Sequence, residues 1–186
     1  GSEMCIRDRP IILALPGLVF VAVFLMDRDS WWAAIPGFTL LGLAALIAYV
    51  QIARETPGNW EAIFVLGGVA LGFLAVYART GLREWWAIIP GGVMTSIIFT
   101  VGLEPYLNDE AIGGIFMLGL GLTFGLVYLV PTPSGRMKWA IIPAGILGFI
   151  GLLSLLAATT LINYVWPLAL IVLGGYLIYK SLKREE

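Results

Sequence analysis

The charges of this chain fall in clusters, and the uncharged stretches between them are too long for a soluble domain to bury. These stretches occupy residues 10–26, 31–50, 60–78, 85–103, 111–130, 138–157 and 162–179. Each approaches the roughly 20 apolar residues that an α-helix needs to cross about 30 Å of hydrocarbon. Glu61 and Lys138 are the only charged residues within them, and each sits at an end. Helices buried in a soluble core would be shorter and would carry a polar stripe. A transmembrane barrel would alternate at every second residue, and these runs do not. Only 12% of the residues are charged, against roughly 25% in a soluble domain, so a globular surface cannot be covered with charge. The expected fold is all-α: a polytopic transmembrane bundle of about seven spans. Residues 10–180 then form one transmembrane domain and 181–186 a cytoplasmic tail.

The same inventory narrows the chemistry. A net charge of −1 gives no reason to expect a nucleic-acid partner. The chain has no His and a single Cys, Cys5. An internal disulfide is therefore impossible, and no metal site or other cofactor is expected. The segment Ser2-Glu3-Met4-Cys5-Ile6-Arg7-Asp8-Arg9 has no relation to the apolar spans after it. It resembles the translated adapter read-through met in metagenome assemblies, so residues 1–9 are read as a non-native tail. No small-residue cleavage site follows the first apolar run, which argues against a signal peptide.

The spans are of two alternating kinds. Trp31-Trp32-Ala33-Ala34-Ile35-Pro36-Gly37 recurs as Trp85-Trp86-Ala87-Ile88-Ile89-Pro90-Gly91 and as Lys138-Trp139-Ala140-Ile141-Ile142-Pro143-Ala144. Trp32, Trp86 and Trp139 are 54 and 53 residues apart; these spans are type A. The others, type B, match through Phe64-Val65-Leu66-Gly67-Gly68 and Phe116-Met117-Leu118-Gly119-Leu120 and end at Tyr77, Tyr128 and Tyr179, with Phe24 in the equivalent place of the first. A two-span unit returns the chain to its starting side, so successive units are parallel repeats about an axis near the membrane normal. The order begins with a lone B helix, as expected if an A helix has been lost upstream; four A–B hairpins would then make the complete protein. The B-to-A loops and the C-terminal end hold Arg28, Arg79, Arg83, Arg136, Lys138, Lys180, Lys183 and Arg184. The A-to-B loops hold Arg54 among Glu55, Glu61, Glu104, Asp109 and Glu110. By the positive-inside rule the first set, and with it the C-terminus, is cytoplasmic.

The recurring residues point to architecture before chemistry. The A-helix tryptophans and B-helix tyrosines gather at the cytoplasmic ends, with Trp60 and Trp166 at the outer side, and such rings suit headgroup level. An aromatic ligand cage is the functional alternative, but no polar partner recurs beside the rings. Pro36, Pro90 and Pro143 stand four residues after the tryptophans. The expected consequence is a kinked first turn with the Trp inside the helix and its carbonyl left free; a gating hinge is the alternative. Gly68 with Gly72, Gly121 with Gly125, and Gly145 with Gly148 and Gly151 provide small residues at helical spacing. Lipid supplies no hydrophobic force between helices, so close approach through small residues is how they associate. A glycine-lined conduit is the competing reading.

No ionisable residue lies deep in a span, so ion coupling and proton relay have no carrier. The main intramembrane polar groups are the hydroxyls of Thr95, Ser96, Thr100, Thr123, Ser154, Thr159 and Thr160, which can bond back to their own helices. There is no phosphate-binding Gly-Lys-Ser/Thr loop and no carboxylate pair within the membrane. Asp109 and Glu110 near Glu104 read as a solvated loop. A rhodopsin would carry a lysine in mid-span; here Lys180 is at the cytoplasmic end of the last one. That last span, Tyr164-Val165-Trp166-Pro167-Leu168-Ala169-Leu170-Ile171-Val172-Leu173-Gly174-Gly175-Tyr176-Leu177, resembles the Trp-Pro-hydrophobic-Leu-Gly-x-Tyr-Leu helix of the LiaI/LiaF-like transmembrane family of bacteria. The Trp-Ala-Ile-Ile-Pro motif is similar to that family's helices. The resemblance implies envelope-stress sensing or a membrane accessory role. The expected protein is a small, non-enzymatic, multi-pass protein of the bacterial inner membrane. Its partners would be the lipid bilayer and a membrane protein or a second copy of itself. The alternative is a channel or transporter for a neutral or lipophilic substrate.

Overall fold

A computed structural model describes residues 9–27, 29–52, 60–131 and 135–159, together with Ile171, Gly174 and Tyr176. These residues are overwhelmingly helical, and six α-helices follow one another among them: α1 (Arg9–Met26), α2 (Ala34–Ile52), α3 (Trp60–Thr80), α4 (Ile88–Leu103), α5 (Asp109–Leu129) and α6 (Ile141–Ala157). Short 3-10 segments at Trp31–Ala33, Gly81–Ala87 and Lys138–Ala140 lead into α2, α4 and α6, and a fourth, Glu104–Tyr106, follows α4. The expected span 162–179 lies outside the described residues, save for Ile171, Gly174 and Tyr176, which are helical. Of the tail 1–9, only Arg9 is described, as the first residue of α1.

Four stretches are long and apolar enough to cross a membrane: Trp31–Ile52, Trp60–Tyr106, Asp109–Leu129 and Lys138–Ala157. Pro10–Met26 is a shorter apolar helix. The second stretch has 47 residues. As one straight helix it would run about 70 Å, more than twice the thickness of a hydrocarbon core. It does not run straight. Glu84 leaves the helical region at φ −112, ψ 50, Gly81 takes φ 58, and α4 folds back so that Gly91 faces Phe73 and Leu74 of α3.

Each helix packs against its neighbours in sequence, and no contact of similar extent joins non-neighbours among the described residues. The result is a row of helices running alternately up and down. The ends are marked by the charge pattern. Glu61 opens α3, and Asp109 and Glu110 open α5, where the helix dipole favours anions; Arg79 ends α3, where it favours cations. Asn108 caps α5 by accepting from the Ala111 N–H at 3.2 Å.

The interior of the row is built from small residues. Gly17, Ala33, Ala34, Gly37, Gly42, Ala44, Gly68, Ala70, Gly72, Gly91, Gly114, Gly121 and Gly151 are all buried. The large side chains face outward: Phe99, Leu122, Ile142 and Phe149 are each more than 60% exposed. Only 11–28% of the residues in the four membrane-length windows are buried. In water such a surface would drive aggregation, whereas in lipid it is the expected arrangement, because apolar exteriors cost nothing there and close packing needs small contacts. The chain is a membrane protein by this criterion.

Candidate functional site

Three equivalent turns open α2, α4 and α6. In each, a 3-10 turn carries the tryptophan, and the α-helix starts two residues ahead of the proline. The Ala34 N–H donates to the carbonyls of Trp31 and Trp32, that of Ile88 to Trp85 and Trp86, and that of Ile141 to Lys138 and Trp139. This corrects the expectation of a free Trp carbonyl inside a kinked α-turn. Proline at the third α position removes the usual donor to the carbonyl four residues back; 3-10 geometry pairs each turn's first carbonyl with the N–H three residues on, and that same N–H also reaches the carbonyl the proline leaves unserved. Pro36, Pro90 and Pro143 thus sit where a missing N–H is harmless.

The tryptophans of these turns meet a partner that sequence reasoning missed. Phe20 packs edge-on to Trp32 with ring centroids 6.1 Å apart and planes at 72°. Phe73 meets Trp86 at 6.0 Å and 77°, and Phe124 meets Trp139 at 6.2 Å and 71°. The signal was present in the sequence, because each Phe stands four residues before Phe24, Tyr77 or Tyr128 and so shares its helix face. The clusters around the turns also correspond. One holds Ala34, Val76 and Ala87 with Phe24 and Ala33; the other holds Ile88, Val127 and Ala140. Tyr77 packs against both clusters and Tyr128 against the second, while Tyr179 lies outside the described residues. The Trp86 indole N–H donates to Glu84 Oε2 at 2.7 Å, and Trp31 and Trp86 stack edge-on at 6.0 Å.

The glycines divide sharply. A methyl on Gly68 would lie 2.5 Å from Phe38 O and 3.0 Å from Gly42 Cα, so α2 and α3 touch backbone to backbone. Gly72 faces Ala34 and Ile35, and Gly121 faces the Gly148 N at 2.9 Å. Gly125, Gly145 and Gly148 open onto space, with no described atom within 4 Å of where a side chain would stand. Gly148 therefore contributes its backbone to Gly121 without turning its own face inward.

Between α3, α4 and α5 lies a cavity of about 450 Å³, lined by Leu74, Phe99, Leu118, Leu122 and other apolar side chains with Thr95, Ser96 and Thr123. Its hydroxyls donate to their own helices: Thr95 to Gly91 O at 2.8 Å, Ser96 to Gly92 O at 2.9 Å and Thr123 to Gly119 O at 2.9 Å. Thr100 does the same to Ser96 O at 2.7 Å. The cavity therefore offers lone pairs but few free protons.

A second, polar cavity of about 540 Å³ is lined by Asp29, Arg79, Thr80 and Arg83. Beside it the Ser30 hydroxyl donates to Asp27 Oδ2 at 2.6 Å and the Asp29 N–H to Oδ1 at 3.1 Å. These bonds, the Ser30 one foremost, hold the Asp27 carboxyl below its usual range, with a further contribution from the Arg79 charge. Among the described residues no group of His, Cys, Asp or Glu is arranged to hold a metal ion. Comparison with protein-family models, curated proteins and solved structures finds no match.

Proposed function

We propose that the chain is a small, non-enzymatic, multi-pass protein of the bacterial inner membrane, built from parallel two-helix repeats over seven spans and acting as a structural or interaction partner. The observation that carries this reading is the recurrence of one turn: the same Phe–Trp edge contact, within 0.2 Å and 6° across three sites, beside two clusters in which Ala34, Val76 and Ala87 correspond to Ile88, Val127 and Ala140. Repeats of this kind are a framework for presenting helix faces, and the large residues on those faces are turned outward. The likeness of the last span to the LiaI/LiaF-like family extends the reading to envelope homeostasis. In the proposed orientation Arg79 and Arg83 are cytoplasmic, as is the C-terminus, and Glu104 and Asp109 lie outside.

Single cysteines in a Cys5→Ser background test the topology. A cysteine at Arg83 should be labelled by an impermeant maleimide only from the cytoplasmic side, and one at Glu104 only from the other. Labelling of both from one side would reject the seven-span arrangement. Photocrosslinking from Ile142 or Phe149 in the native membrane tests the role: a discrete adduct with one protein supports it, and adducts with lipid alone count against it.

The cavity beside Thr95, Ser96 and Thr123 favours a second reading, a channel or transporter for a neutral or lipophilic substrate. Solute flux in reconstituted vesicles that is lost on Ser96→Leu would replace the first reading with this one.

A further inference from the structure

The polar cavity at the end of α3 mixes charges in a way that a simple solvated loop does not require. Arg79 reaches from the last turn of α3 to α1, where its Nη2 donates to Leu25 O at 3.0 Å. Its guanidinium carbon stands 4.9 Å from the centre of the Phe24 ring, within cation–π range. The cation thereby caps the C-terminal end of α1, which the helix dipole favours. Its Nε is shut away from solvent and has no acceptor among the described residues, nor does any described carboxylate lie within ion-pair distance of Arg79. The side chain is thus held in place without a direct ion pair, although its charge is felt by the Asp27 carboxylate beside the cavity. Arg83 lines the same cavity, its side chain 75% exposed, with Glu84 Oε1 3.8 Å from its Nε. Asp29, an exposed residue, lines the same cavity. The Thr80 hydroxyl donates to Val76 O at 2.7 Å, so toward the cavity its oxygen offers lone pairs only.

Two guanidiniums and a carboxylate lining one cavity match a zwitterion. Arginine forks bind phosphate oxygens in pairs, and a carboxylate with a hydroxyl oxygen beside it accepts from a primary ammonium. The site lies where apolar helices end, at the level of lipid headgroups, and basic pockets between helices at that level recognise phospholipids. We infer that this cavity holds the headgroup of an aminophospholipid, with its phosphate on Arg79 and Arg83 and its ammonium on Asp29. The inference rests on the membrane reading above. A choline headgroup has no N–H for Asp29, and a glycerol headgroup has no cation for it, so both should bind less well. A soluble phosphoethanolamine ester carries the same chemistry and is the competing source.

The test uses the full chain in vesicles, extracted with its tightly held lipid and weighed by native mass spectrometry. Phosphatidylethanolamine should be retained about tenfold over phosphatidylcholine and phosphatidylglycerol. Asp29→Asn should erase the preference for the amine without loss of fold, since Asp29 is an exposed side chain. Arg83→Gln, also exposed, should lower retention of all three lipids about fivefold. Equal retention of phosphatidylethanolamine and phosphatidylcholine by the unaltered chain would overturn the proposal, as would a preference that survives Asp29→Asn. Displacement of the lipid by soluble glycerophosphoethanolamine at equal concentration would overturn the lipid as the source. A chain that fails to enter vesicles at all would sink the membrane reading itself, an outcome distinct from entry without headgroup preference.

Discussion

The contact between α2 and α3 makes a sharp test of inside-out packing, because two adjacent glycines of one helix should respond in opposite directions. Gly68 meets the Gly42 backbone, and a methyl there would stand 2.5 Å from Phe38 O and 3.0 Å from Gly42 Cα. Neither neighbour is a flexible side-chain end, so the strain can be relieved only by moving one helix off the other. Ordinary contact needs about 3.5 Å, so the axes must part by up to about 1 Å locally. Overpacking of this kind costs about 1–3 kcal/mol, and the better helix propensity of alanine returns about 0.8–1.0 kcal/mol. Gly68→Ala should therefore destabilise the protein by up to about 2 kcal/mol. Gly67 has no atom of the described residues within 4 Å of its side-chain position, so Gly67→Ala receives only the propensity gain and should be neutral or up to about 1 kcal/mol more stable. Reversible unfolding in mixed micelles, followed by tryptophan fluorescence, measures both. Adding Gly42→Ala to Gly68→Ala should cost less than the sum of the two, because one separation relieves both clashes. Equal stability of the two single variants, or a Gly68→Ala protein more stable than Gly67→Ala, would refute close backbone packing as the basis of the row.

Replacing Phe20, Phe73 or Phe124 by Leu should cost each about 0.5–1.5 kcal/mol beyond the lost area, and by similar amounts because the three geometries agree; a loss confined to one site in the same unfolding assay would reject the equivalence of the turns. Ser30→Ala removes the foremost cause of the low Asp27 pKa, so carboxyl carbon shifts should titrate closer to the ordinary value of 3.8. The sign follows from linkage: a depressed carboxyl pKa stabilises the fold at pH above 3.8, and that contribution fades as pH falls through the lower folded value. Thr123→Val should change stability by less than about 1 kcal/mol, since the hydroxyl serves a carbonyl of its own helix. A larger loss would show that it has a further partner.

What the sequence made legible was what depends on spacing along one helix. The apolar runs predicted α1 to α6 to within a few residues at most ends, because desolvation of the backbone leaves a long uncharged run little alternative to helix. The starts of α2, α4 and α6 differed most, each by three residues taken up by a 3-10 turn, and at α4 the 3-10 segment reaches back to Gly81. Nothing in the local sequence announces that the Glu84 backbone breaks away while its carboxylate takes the Trp86 N–H. Relations between helices were harder to see. Gly68 and Gly72 have the same spacing as Gly121 and Gly125, yet Gly125 has no described neighbour within 4 Å of its side-chain position, because a one-helix motif does not say which neighbour fills the groove. Phe20, Phe73 and Phe124 were overlooked for a related reason: a phenylalanine in an apolar span carries no contrast with its surroundings, and only the tryptophan across the hairpin gives it meaning.

The register between helices explains why α4 and α5, which line a cavity, meet less closely than α2 and α3. Ala34 and Val76 share one cluster, and Ile88 and Val127 share the corresponding one. Two turns further into the membrane, α2 and α3 meet at Gly42 and Gly68, whereas α4 and α5 meet at Ser96 and Gly119. One turn in, Gly72 of α3 corresponds to Thr123 of α5, which stands against Gly92. Two hydroxyl side chains thus occupy places where the first pair has bare backbone, and α4 and α5 make less extensive contact than α2 and α3. Since the hydroxyls bond within their own helices, they act across the interface as spacers, not as bridges. Ser96→Gly combined with Thr123→Gly should let α4 and α5 close to the spacing of α2 and α3 and eliminate the cavity lined by those residues. A small apolar probe that raises the unfolding midpoint of the unaltered protein should then lose its effect on the double variant. If the probe still stabilises that variant to the same extent, the hydroxyls are not what hold the cavity open.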